Sequence, residues 1–582
     1  MSSVSGKTFD IPLLKRVMKY VRPYRLTFLS TAVFAIVLAF LSPARPMLIQ
    51  YAFDNYILIP DMEMLYKITL LLVALLVVES LMQFFYIYWV NWLGQSVIRD
   101  LRMQVYDHIL NFKQKYFDNT PIGTLVTRVV SDIETIADIF SQGLLVIIGD
   151  VLKLIVVLVV MFATDWRLTL FSLISIPILL VATYWFKRSI KSAFQEVRTQ
   201  VSALNTFVQE RIVGMRIVQL FNREKIEFEN FQAINELHKK AHIRSIWYYS
   251  IFFPIVEILS AISIGLLIWW GGVKAATGTE VTLGELVAFI LYIHMLFRPI
   301  RQLADRFNIL QMGMVASERV FKILDTDEVI EDKGTIQVDK IKGDIEFKNV
   351  WFAYNDEDWV LKDVSFSVKA GQTLALVGAT GSGKSSIINL LSRNYNHNKG
   401  KVLIDGVNYL DFELSSLRSQ MSLVLQDVFL FSDSVLNNIT LHQDISIEQV
   451  RESAQKIGVN SFIENLPEAY QYNVKERGAM LSVGQRQLLS FLRAYVSNPS
   501  ILILDEATSN IDSETEQLIQ HAIMELTQGR TSIVIAHRLA TIQNADKILL
   551  LEDGQILESG THQELMQKGG QYKTLFDLQF QE

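Results

Sequence analysis

Six long apolar stretches occupy the first half of the chain. They centre on residues 26–41, 69–92, 144–166, 168–186, 247–270 and 283–300. The first and last are the weakest, because Pro43 and Pro46 interrupt the first. Arg298 and Arg301 lie at the end of the sixth. A helix needs about 20 residues to cross a bilayer, and a soluble core rarely contains six such runs. The pattern predicts an all-α transmembrane domain with six spans over residues 1–324.

The segments between these runs differ sharply in their content of lysine and arginine. Segments 1–25, 93–143 and 187–246 carry 22 of these residues, whereas segments 54–66, 163–167 and 271–282 carry two. Lysine and arginine accumulate on the cytoplasmic side of membrane proteins. We therefore expect a multi-pass protein of the cell (inner, cytoplasmic) membrane with both termini in the cytoplasm. The basic N-terminus lacks a leading apolar run, so a cleavable signal peptide is not expected.

The segment 187–246 is long for a loop and has helical spacing throughout. It contains one glycine, Gly214, and no proline. Two antiparallel helices sharing these residues would project about 40 Å beyond the bilayer. The simplest interpretation is a solvated hairpin. The alternative, which the rest of the sequence favours, is a lever with residues 215–224 near its tip that contacts another domain.

The pattern changes after residue 325. Residues 325–343 are charged and poor in large apolar side chains, which is typical of a linker. From 344 to 582, short β-branched runs alternate with helical stretches, which predicts an α/β domain with a largely parallel sheet. Three runs, 374–377, 501–504 and 532–536, end in polar residues. Ligands of open α/β sheets bind beyond the carboxyl ends of the strands, so these three regions should converge on one site.

The composition narrows the class of protein further. Half of the residues are hydrophobic, 20% are charged, and the net charge is −6. This excludes a disordered chain, and it gives no basic field that would favour nucleic acid. The chain has no cysteine, which excludes disulfides, thiolate metal sites and cysteine nucleophiles.

The first polar segment at a strand end is a glycine-rich loop of the form GxxxxGK[ST]. It precedes a helix predicted over 386–391. Such a loop turns its backbone N–H groups toward phosphate oxygens, aided by the helix N-terminus. Lys384 is expected to reach the β- and γ-phosphates, and Ser385 to bind Mg²⁺. The predicted nucleotide-binding residues here are Gly378, Thr380, Gly381, Ser382, Gly383, Lys384, Ser385 and Ser386.

The other two strand ends supply candidate groups for hydrolysis. Asp505 is expected to join the Mg²⁺ shell, and Glu506 to activate a water for attack on the γ-phosphate. The alternative is that two carboxylates merely end a strand. His537 follows the third strand and is expected to contact the γ-phosphate. A lone histidine after a strand more often has a structural role. In a domain that binds ATP, contact with the γ-phosphate is the favoured interpretation.

A seven-residue segment, 481–487 (LSVGQRQ), identifies a family. It resembles the signature motif of ABC transporters, usually LSGGQ, and lies 24 residues before Asp505 as in that family. Together with the order of the domains, it resembles an ABC exporter half-transporter of the multidrug and lipid-flippase type. The resemblance implies ATP-driven export or flipping of amphiphilic small molecules or lipids, with two ATP and Mg²⁺ between two half-transporters. Ser482, Val483, Gly484 and Gln485 would then contact the ATP held by the partner.

Further segments match the same family in register, and their roles follow from the resemblance. Tyr354 resembles the aromatic residue that stacks on adenine, and Gln426 resembles the residue that links Mg²⁺ and water to the membrane domain. Asp512 resembles the loop that crosses the dimer interface. Residues 475–478 (KERG) resemble a short exporter motif that meets a coupling helix. Segments 117–132 and 214–224 resemble the two coupling regions.

Val483 departs from the family, which usually has glycine at this position. A β-branched side chain removes the conformational freedom of glycine and crowds the approach of the backbone to phosphate. Glu506 and His537 are nevertheless present. This combination resembles one subunit of a heterodimeric exporter, an interpretation that we favour narrowly. A homodimer that tolerates Val483 in both sites is the alternative.

The substrate does not follow from the sequence. A peptide exporter of the same superfamily is the main alternative, although no cysteine-protease domain precedes the first span. A soluble ATPase of the superfamily is incompatible with six spans, and importers usually carry the two domains on separate chains. Five ionisable residues fall in the predicted spans, where charge is costly: Glu79, Asp150, Lys153, Glu257 and His294. Asp150 and Lys153 are spaced to pair with each other.

Overall fold

The computed structural model describes residues 10–58, 61–276, 281–505, 513–536 and 539–580. By its internal contacts the chain forms two compact units. The first comprises Met1–Leu110 and Pro121–Asp327, and the second comprises Asn111–Thr120 and Glu328–Glu582. The boundary therefore lies close to the end of the last long helix, at Leu324. Ten residues that follow the second span belong with the second unit.

The first unit is built from helices alone in its described part. Six of its helical segments are long and apolar enough to cross a membrane, so the predicted number of spans is confirmed. These segments are Arg22–Ile57, Met62–Leu110, Ile122–Thr164, Trp166–Val213, Glu224–Ala276 and Leu283–Ile300. The helices are Ile11–Lys19, Arg25–Leu41, Ala44–Ala52, Met62–Leu110, Ile122–Thr127, Ile133–Asp138, Leu144–Thr164, Trp166–Leu173, Ile176–Val213, Met215–Leu220, Glu224–Ala276 and Leu283–Leu324.

Proline accounts for the interruption of the first span. The helix Arg25–Leu41 ends two residues before Pro43, which is the N-cap of the helix Ala44–Ala52. Proline lacks the N–H group that would continue the hydrogen bonding of the preceding helix, so a new helix begins there. Pro254 and Pro299 lie inside long helices instead.

The end of the first span is tied to the start of the sixth. The side chain of Asp54 accepts hydrogen bonds from Thr282 Oγ1 at 2.7 Å and from the Gly284 N–H at 2.9 Å. Thr282 also forms a capping box with Glu285. A Cβ on Gly284 would lie 2.6 Å from Asp54 Oδ1 and from Gln50 O. Glycine at 284 therefore permits this close approach.

The predicted hairpin is present. The helices Ile176–Val213 and Glu224–Ala276 are joined by the short helix Met215–Leu220. Near the turn, Glu227 accepts from Arg211 Nε at 2.6 Å and from Arg223 Nε at 3.1 Å. Because these three side chains bridge both arms, the turn is fixed against the helices that carry it.

Asp150 does not pair with Lys153 as the spacing predicted. It forms an ion pair with Arg306, with 3.1 Å between Asp150 Oδ2 and Arg306 Nε. Arg306 also donates to the carbonyl of Gln142 at 3.2 Å. Residues three apart on one helix point along the same face, but a longer side chain on a neighbouring helix reaches the carboxylate more directly.

The described residues of the second unit form ten strands in two sheets. The strands are β1 (Ile345–Ala353), β2 (Trp359–Val368), β3 (Thr373–Val377), β4 (Lys399–Ile404), β5 (Val407–Asn408), β6 (Met421–Val424), β7 (Ile501–Asp505), β8 (Thr531–Ile535), β9 (Lys547–Glu552) and β10 (Gln555–Gly560). The first sheet has the order β2-β1-β4-β5, and the second β10-β9-β3-β8-β7-β6. The first sheet is antiparallel, and the second is parallel except for β10. The α/β prediction is confirmed.

Helices complete this unit and enclose its cores. They are Gln114–Asn119, Lys384–Leu391, Leu414–Ser419, Val435–Thr440, Ile447–Lys456, Asn460–Glu464, Val483–Val496, Ser513–Thr527, Leu539–Gln543, His562–Lys568 and Gln571–Phe580. One core joins the two sheets and includes Phe347, Leu376 and Ile503. A second core lies around the helix Val483–Val496. The residues that carry chemistry are thus mounted on buried strands.

Most of the charged segment 325–343, from residue 328 onward, belongs to the second unit and is hydrogen-bonded within it. Asp405 accepts hydrogen bonds from the backbone N–H groups of Lys342 and Gly343 at 2.7 and 3.0 Å. Asp332 accepts from the Leu414 N–H at 2.8 Å. These hydrogen bonds hold in place residues whose composition is typical of a linker.

Candidate nucleotide-binding site

Four adjacent parallel strands end at the same edge of the second sheet. In the order β3, β8, β7 and β6, each pairs in parallel with the next. The phosphate loop follows β3, Asp505 is the last residue of β7, and Gln426 lies two residues beyond β6. The predicted convergence is therefore confirmed for the described residues. Glu506, His537 and Asp512 lie outside them.

The glycines of the phosphate loop are needed for its shape. Gly378, Gly381 and Gly383 have φ values of 150°, 84° and 104°, a region that other residues rarely adopt. A Cβ on Gly378 would lie 2.2 Å from the carbonyl oxygen of Leu551, and one on Gly383 would lie 2.7 Å from Leu361 Cδ2. Space as well as backbone conformation therefore requires glycine at these two positions.

Lys384 begins the helix Lys384–Leu391, two residues earlier than predicted, and its side chain folds back over the loop. Its Nζ donates to the carbonyls of Gly378 and Ala379 at 2.7 and 2.8 Å. Burial lowers the pKa of Lys384, and the charge of Asp505 acts in the opposite direction. The ammonium is thus held inside the loop by carbonyl dipoles, near the carboxylate that ends β7.

Ser385 and Ser386 follow Lys384 and face different surroundings. Ser385 is exposed beside the loop, whereas Ser386 is 5% exposed. The hydroxyl of Ser386 lies 3.1 Å from the hydroxyl of Tyr354. Ser385 is therefore free to meet a ligand, while Ser386 holds an aromatic residue in place.

Tyr354 is fixed by the helix that follows the phosphate loop. Its hydroxyl accepts a hydrogen bond from Asn389 Nδ2 at 3.1 Å in addition to its contact with Ser386. Its ring packs edge-on against Phe352 and Tyr395, with centroids 4.7 and 4.9 Å apart. The half-buried ring thus keeps a fixed position relative to the phosphate loop.

The strand that delivers Asp505 is rigidly buried. Ile501, Leu502 and Ile503 are completely buried in β7, and such burial stabilises by roughly 1.5–3 kcal/mol per side chain. Asp505 belongs to the strand, whereas the sequence pattern placed it just beyond the end. Gln426, in contrast, is exposed.

The signature segment is a helix N-terminus with a complete capping box. Ser482 Oγ accepts from the Gln485 N–H at 3.2 Å, and the Ser482 N–H donates to Gln485 Oε1 at 2.9 Å. The sequence is strongly helical over 485–496, and the helix in fact begins two residues earlier, at Val483. Because Val483 occupies the first helical position, its backbone does not need the freedom of glycine. Its side chain, 55% exposed, is what distinguishes this signature from the usual one.

Two residues near the loop carry no motif and were missed in the sequence. Asn389 holds the Tyr354 hydroxyl, and its carbonyl accepts from the backbone N–H of Tyr395 at 3.2 Å. The spacing of Ser386 and Asn389, three apart on one helix, is the only sequence signal that both reach the same partner. Nothing in the local pattern marks Tyr395.

The arrangement fits a nucleoside triphosphate. It combines a loop whose backbone shape requires glycine, a lysine whose ammonium is held inside that loop, and a fixed aromatic ring on the same unit. It also suits Mg²⁺, which prefers a few oxygen ligands and keeps several waters. The candidate oxygen donors at this edge of the sheet are the Ser385 hydroxyl, the Asp505 carboxylate and the Gln426 amide.

Two family models match the chain on either side of the unit boundary. The ABC transporter transmembrane region matches residues 28–300, and the ABC transporter model matches residues 361–509. The fold and the site thus define an ATPase whose membrane and ATP-binding parts are fused in one chain. The chain belongs to the ABC transporter family.

Relatives with the same organisation match nearly the whole chain. The uncharacterised ABC transporter ATP-binding protein YknV of Bacillus subtilis is 38% identical over 99% of this chain and 96% of its own. The putative multidrug export ATP-binding/permease protein YgaD of Bacillus subtilis is 35% identical, with 97% and 99% covered. The ATP-dependent lipid A-core flippase of Syntrophus aciditrophicus is 34% identical, with 98% and 95% covered. The chain is therefore similar to multidrug exporters and lipid flippases.

Proposed function

We propose that this ABC transporter exports or flips amphiphilic small molecules or lipids across a membrane, driven by ATP hydrolysis. The observation that carries the proposal is the fusion of six candidate spans to a complete phosphate loop in one chain. Relatives named as multidrug exporters and as a lipid flippase support the substrate class. The basic segments support a location in the cell membrane with both termini and the ATPase unit on the cytoplasmic side.

In the proposed hydrolysis each residue has one task. Lys384 and the loop N–H groups bind the β- and γ-phosphates, and Tyr354 stacks on adenine. Mg²⁺, when bound, neutralises phosphate charge; Ser385, Asp505 and Gln426 would hold it.

Two residues act at the γ-phosphate itself. Glu506 takes a proton from the attacking water, and His537 contacts the γ-phosphate. In the sequence Glu506 directly follows β7, and His537 comes two residues after β8; both strands are buried. In this proposal Glu506 aligns the attacking water with the phosphate before reaction.

The signature segment indicates a dimer. Ser482 presents the positive end of a fourteen-residue helix, Val483–Val496, and Val483 is exposed there. Such an end favours a phosphate, but Lys384 and its loop already cradle phosphate within the same unit. We therefore propose that the signature of one half-transporter meets the ATP bound to the other. Asp512 would lie in the same interface.

Two exposed apolar surfaces also support a partner. The hairpin turn of the first unit exposes large apolar residues, and so does the second unit beside Gln426 and the signature. On the turn these are Ile212, Val213, Ile217, Leu220 and Phe221, and on the second unit Leu425, Phe429, Phe431 and Met480. Groups of large apolar side chains that are exposed together are typical of interaction sites. We propose that the turn, which includes the predicted coupling region 214–224, docks beside the KERG segment of the partner.

We favour a heterodimer, and Val483→Gly tests it. In a heterodimer Val483 faces the partner's slower site, so the substitution should change steady-state ATP hydrolysis by less than about twofold. In a homodimer Val483 borders both sites, and a change of several-fold in either direction is expected. The measurement is ATPase activity of purified protein with its oligomeric composition determined by mass.

Val483→Ala serves as the matched variant. Because Val483 is already helical, alanine and glycine should act alike if the bulk of the side chain matters. Strong ATPase activity from the chain alone, combined with a several-fold effect of both substitutions, would contradict the heterodimer.

Transport is tested with the protein in phospholipid vesicles. Fluorescent lipids and amphiphilic dyes should cross the bilayer only with hydrolysable ATP, and Lys384→Ala should abolish the movement. If peptides are the only class of molecule that crosses the bilayer in response to ATP, the protein is instead a peptide exporter. ATP hydrolysis that moves none of the three classes would overturn the proposal.

A further inference from the structure

Tyr395 links two parts of the second unit and has no assigned role in ATP binding or hydrolysis. It lies in the segment between the helix Lys384–Leu391 and β4, after the phosphate loop. Its ring packs edge-on against Tyr354, and its hydroxyl donates to the carboxylate of Asp118. It therefore touches the aromatic residue of the nucleotide site on one side and the helix Gln114–Asn119 on the other.

The helix Gln114–Asn119 is anchored in this unit by backbone bonds. The Lys113 N–H donates to the carbonyl of Glu328, and the Ile330 N–H donates to that of Asn111, both at 2.8 Å. Phe112, between them, is 2% exposed. Asn111 directly follows the helix Met62–Leu110, which contains the second span. Three residues, 111–113, therefore connect this helix covalently to the helix that contains the second candidate span.

The contact of Tyr395 with Asp118 is a charge-assisted hydrogen bond. Asp118 also accepts from Gln114 Nε2 at 2.9 Å, so the carboxylate is oriented by its own helix. Burial raises the pKa of Tyr395, and the bond to Asp118 raises it further. The phenol is therefore protonated and acts as the donor.

The other side of Tyr395 is equally well held. Asn389 accepts from its backbone N–H and donates to the Tyr354 hydroxyl, so one residue of the phosphate-loop helix fixes both tyrosines. The chain of contacts from Tyr354 through Tyr395 to Asp118 is continuous. Its last link lies at the surface of the unit, since Asp118 is exposed.

We propose that Tyr395 is a positioning residue that transmits nucleotide binding at Tyr354 to the helix Gln114–Asn119 through its bond to Asp118. The proposal rests on the proposed nucleotide site. When a base stacks on Tyr354, the ring against which it packs is restrained, and the Asp118 bond becomes more persistent. The helix that continues from the second span is then held more firmly whenever nucleotide is present.

Hydrogen–deuterium exchange of the full chain tests this, with a non-hydrolysable ATP analogue and Mg²⁺ as the probe. In the wild type the analogue should slow exchange in 378–386 and also, by about tenfold, in 113–120, an effect within the range of one charge-assisted hydrogen bond. Tyr395→Phe keeps the ring and removes the hydroxyl. It should preserve the protection of 378–386 and abolish that of 113–120.

Asp118→Asn should have the same effect, and the double variant should lose no more than either single one. Tyr470→Phe is the matched control, because it removes a buried hydroxyl bonded to Asn460 elsewhere in the unit. The proposal is wrong if the analogue does not slow exchange of 113–120 in the wild type, or if it still does so in Tyr395→Phe. If the analogue does not slow exchange of 378–386 in the wild type, the nucleotide site itself is wrongly assigned.

Discussion

Glu506→Gln should reduce ATP hydrolysis by about 10²–10⁴-fold while leaving ATP bound. Glutamine has nearly the same shape as glutamate but cannot accept the proton of the attacking water. The cradle formed by Lys384 and the loop glycines does not depend on this side chain, so nucleotide affinity should be kept. Steady-state hydrolysis and retention of radiolabelled ATP by the purified protein measure the two effects separately.

The variant should also accumulate in a closed dimer, because closure precedes the step that it blocks. Glu448→Gln is a suitable control, since Glu448 is an exposed carboxylate in the first turn of the helix Ile447–Lys456. It should hydrolyse ATP at nearly the wild-type rate. Hydrolysis by Glu506→Gln at that same rate would show that another group is the base.

Lys384→Ala should weaken ATP binding by roughly 30-fold to several thousand-fold, the range expected when one partner of a buried charge pair is removed. The loop N–H groups remain, but no other cation is aimed into the loop among the described residues. The variant also loses the two hydrogen bonds from Nζ to Gly378 and Ala379. Equilibrium binding of a fluorescent ATP analogue measures the loss.

Lys401→Ala provides the comparison, because Lys401 is an exposed lysine on β4 of the same unit. Its removal should leave affinity unchanged. Thermal unfolding of both variants separates loss of the ligand contact from loss of the fold. Unchanged affinity in a folded Lys384→Ala protein would contradict the assignment of the phosphate loop.

The parts of this fold that follow from sequence are those with a strong local signal. Six apolar runs of sufficient length predict six spans, and the strand–loop–helix order around Gly378 predicts the phosphate loop. The sequence predicts the starts of helices less accurately. The helices at Lys384 and Val483 each begin two residues before the helical pattern in the sequence, because their first residues, Lys384-Ser385 and Val483-Gly484, contain no regular apolar spacing.

Long-range partners could not be predicted. Tyr395 and Asp118 are 277 residues apart. Asp118 falls in the segment 117–132 that resembles a coupling region, but nothing in that resemblance indicates Tyr395 as its partner. Asp150 pairs with Arg306 on another helix, although Lys153 is only three residues away. Such choices depend on how helices and loops pack, and a single sequence carries no local record of that packing. The contact of Asn389 with Tyr354 likewise depends on packing between distant parts of the chain.

Residues 111–120 belong to the second unit although they lie between two spans in the sequence, and this affects how the ATPase unit can evolve and how it can be excised. Because these residues come from the loop after the second span, the ATP-binding body is not one continuous stretch of sequence. An excised fragment from residue 328 onward would keep every nucleotide-binding motif but lose the chain that pairs with Glu328 and Ile330. Exchanging that fragment between relatives would likewise separate Tyr395 from its own Asp118. Substitutions at these two positions are therefore best inherited together, although several hundred nucleotides of coding sequence lie between them.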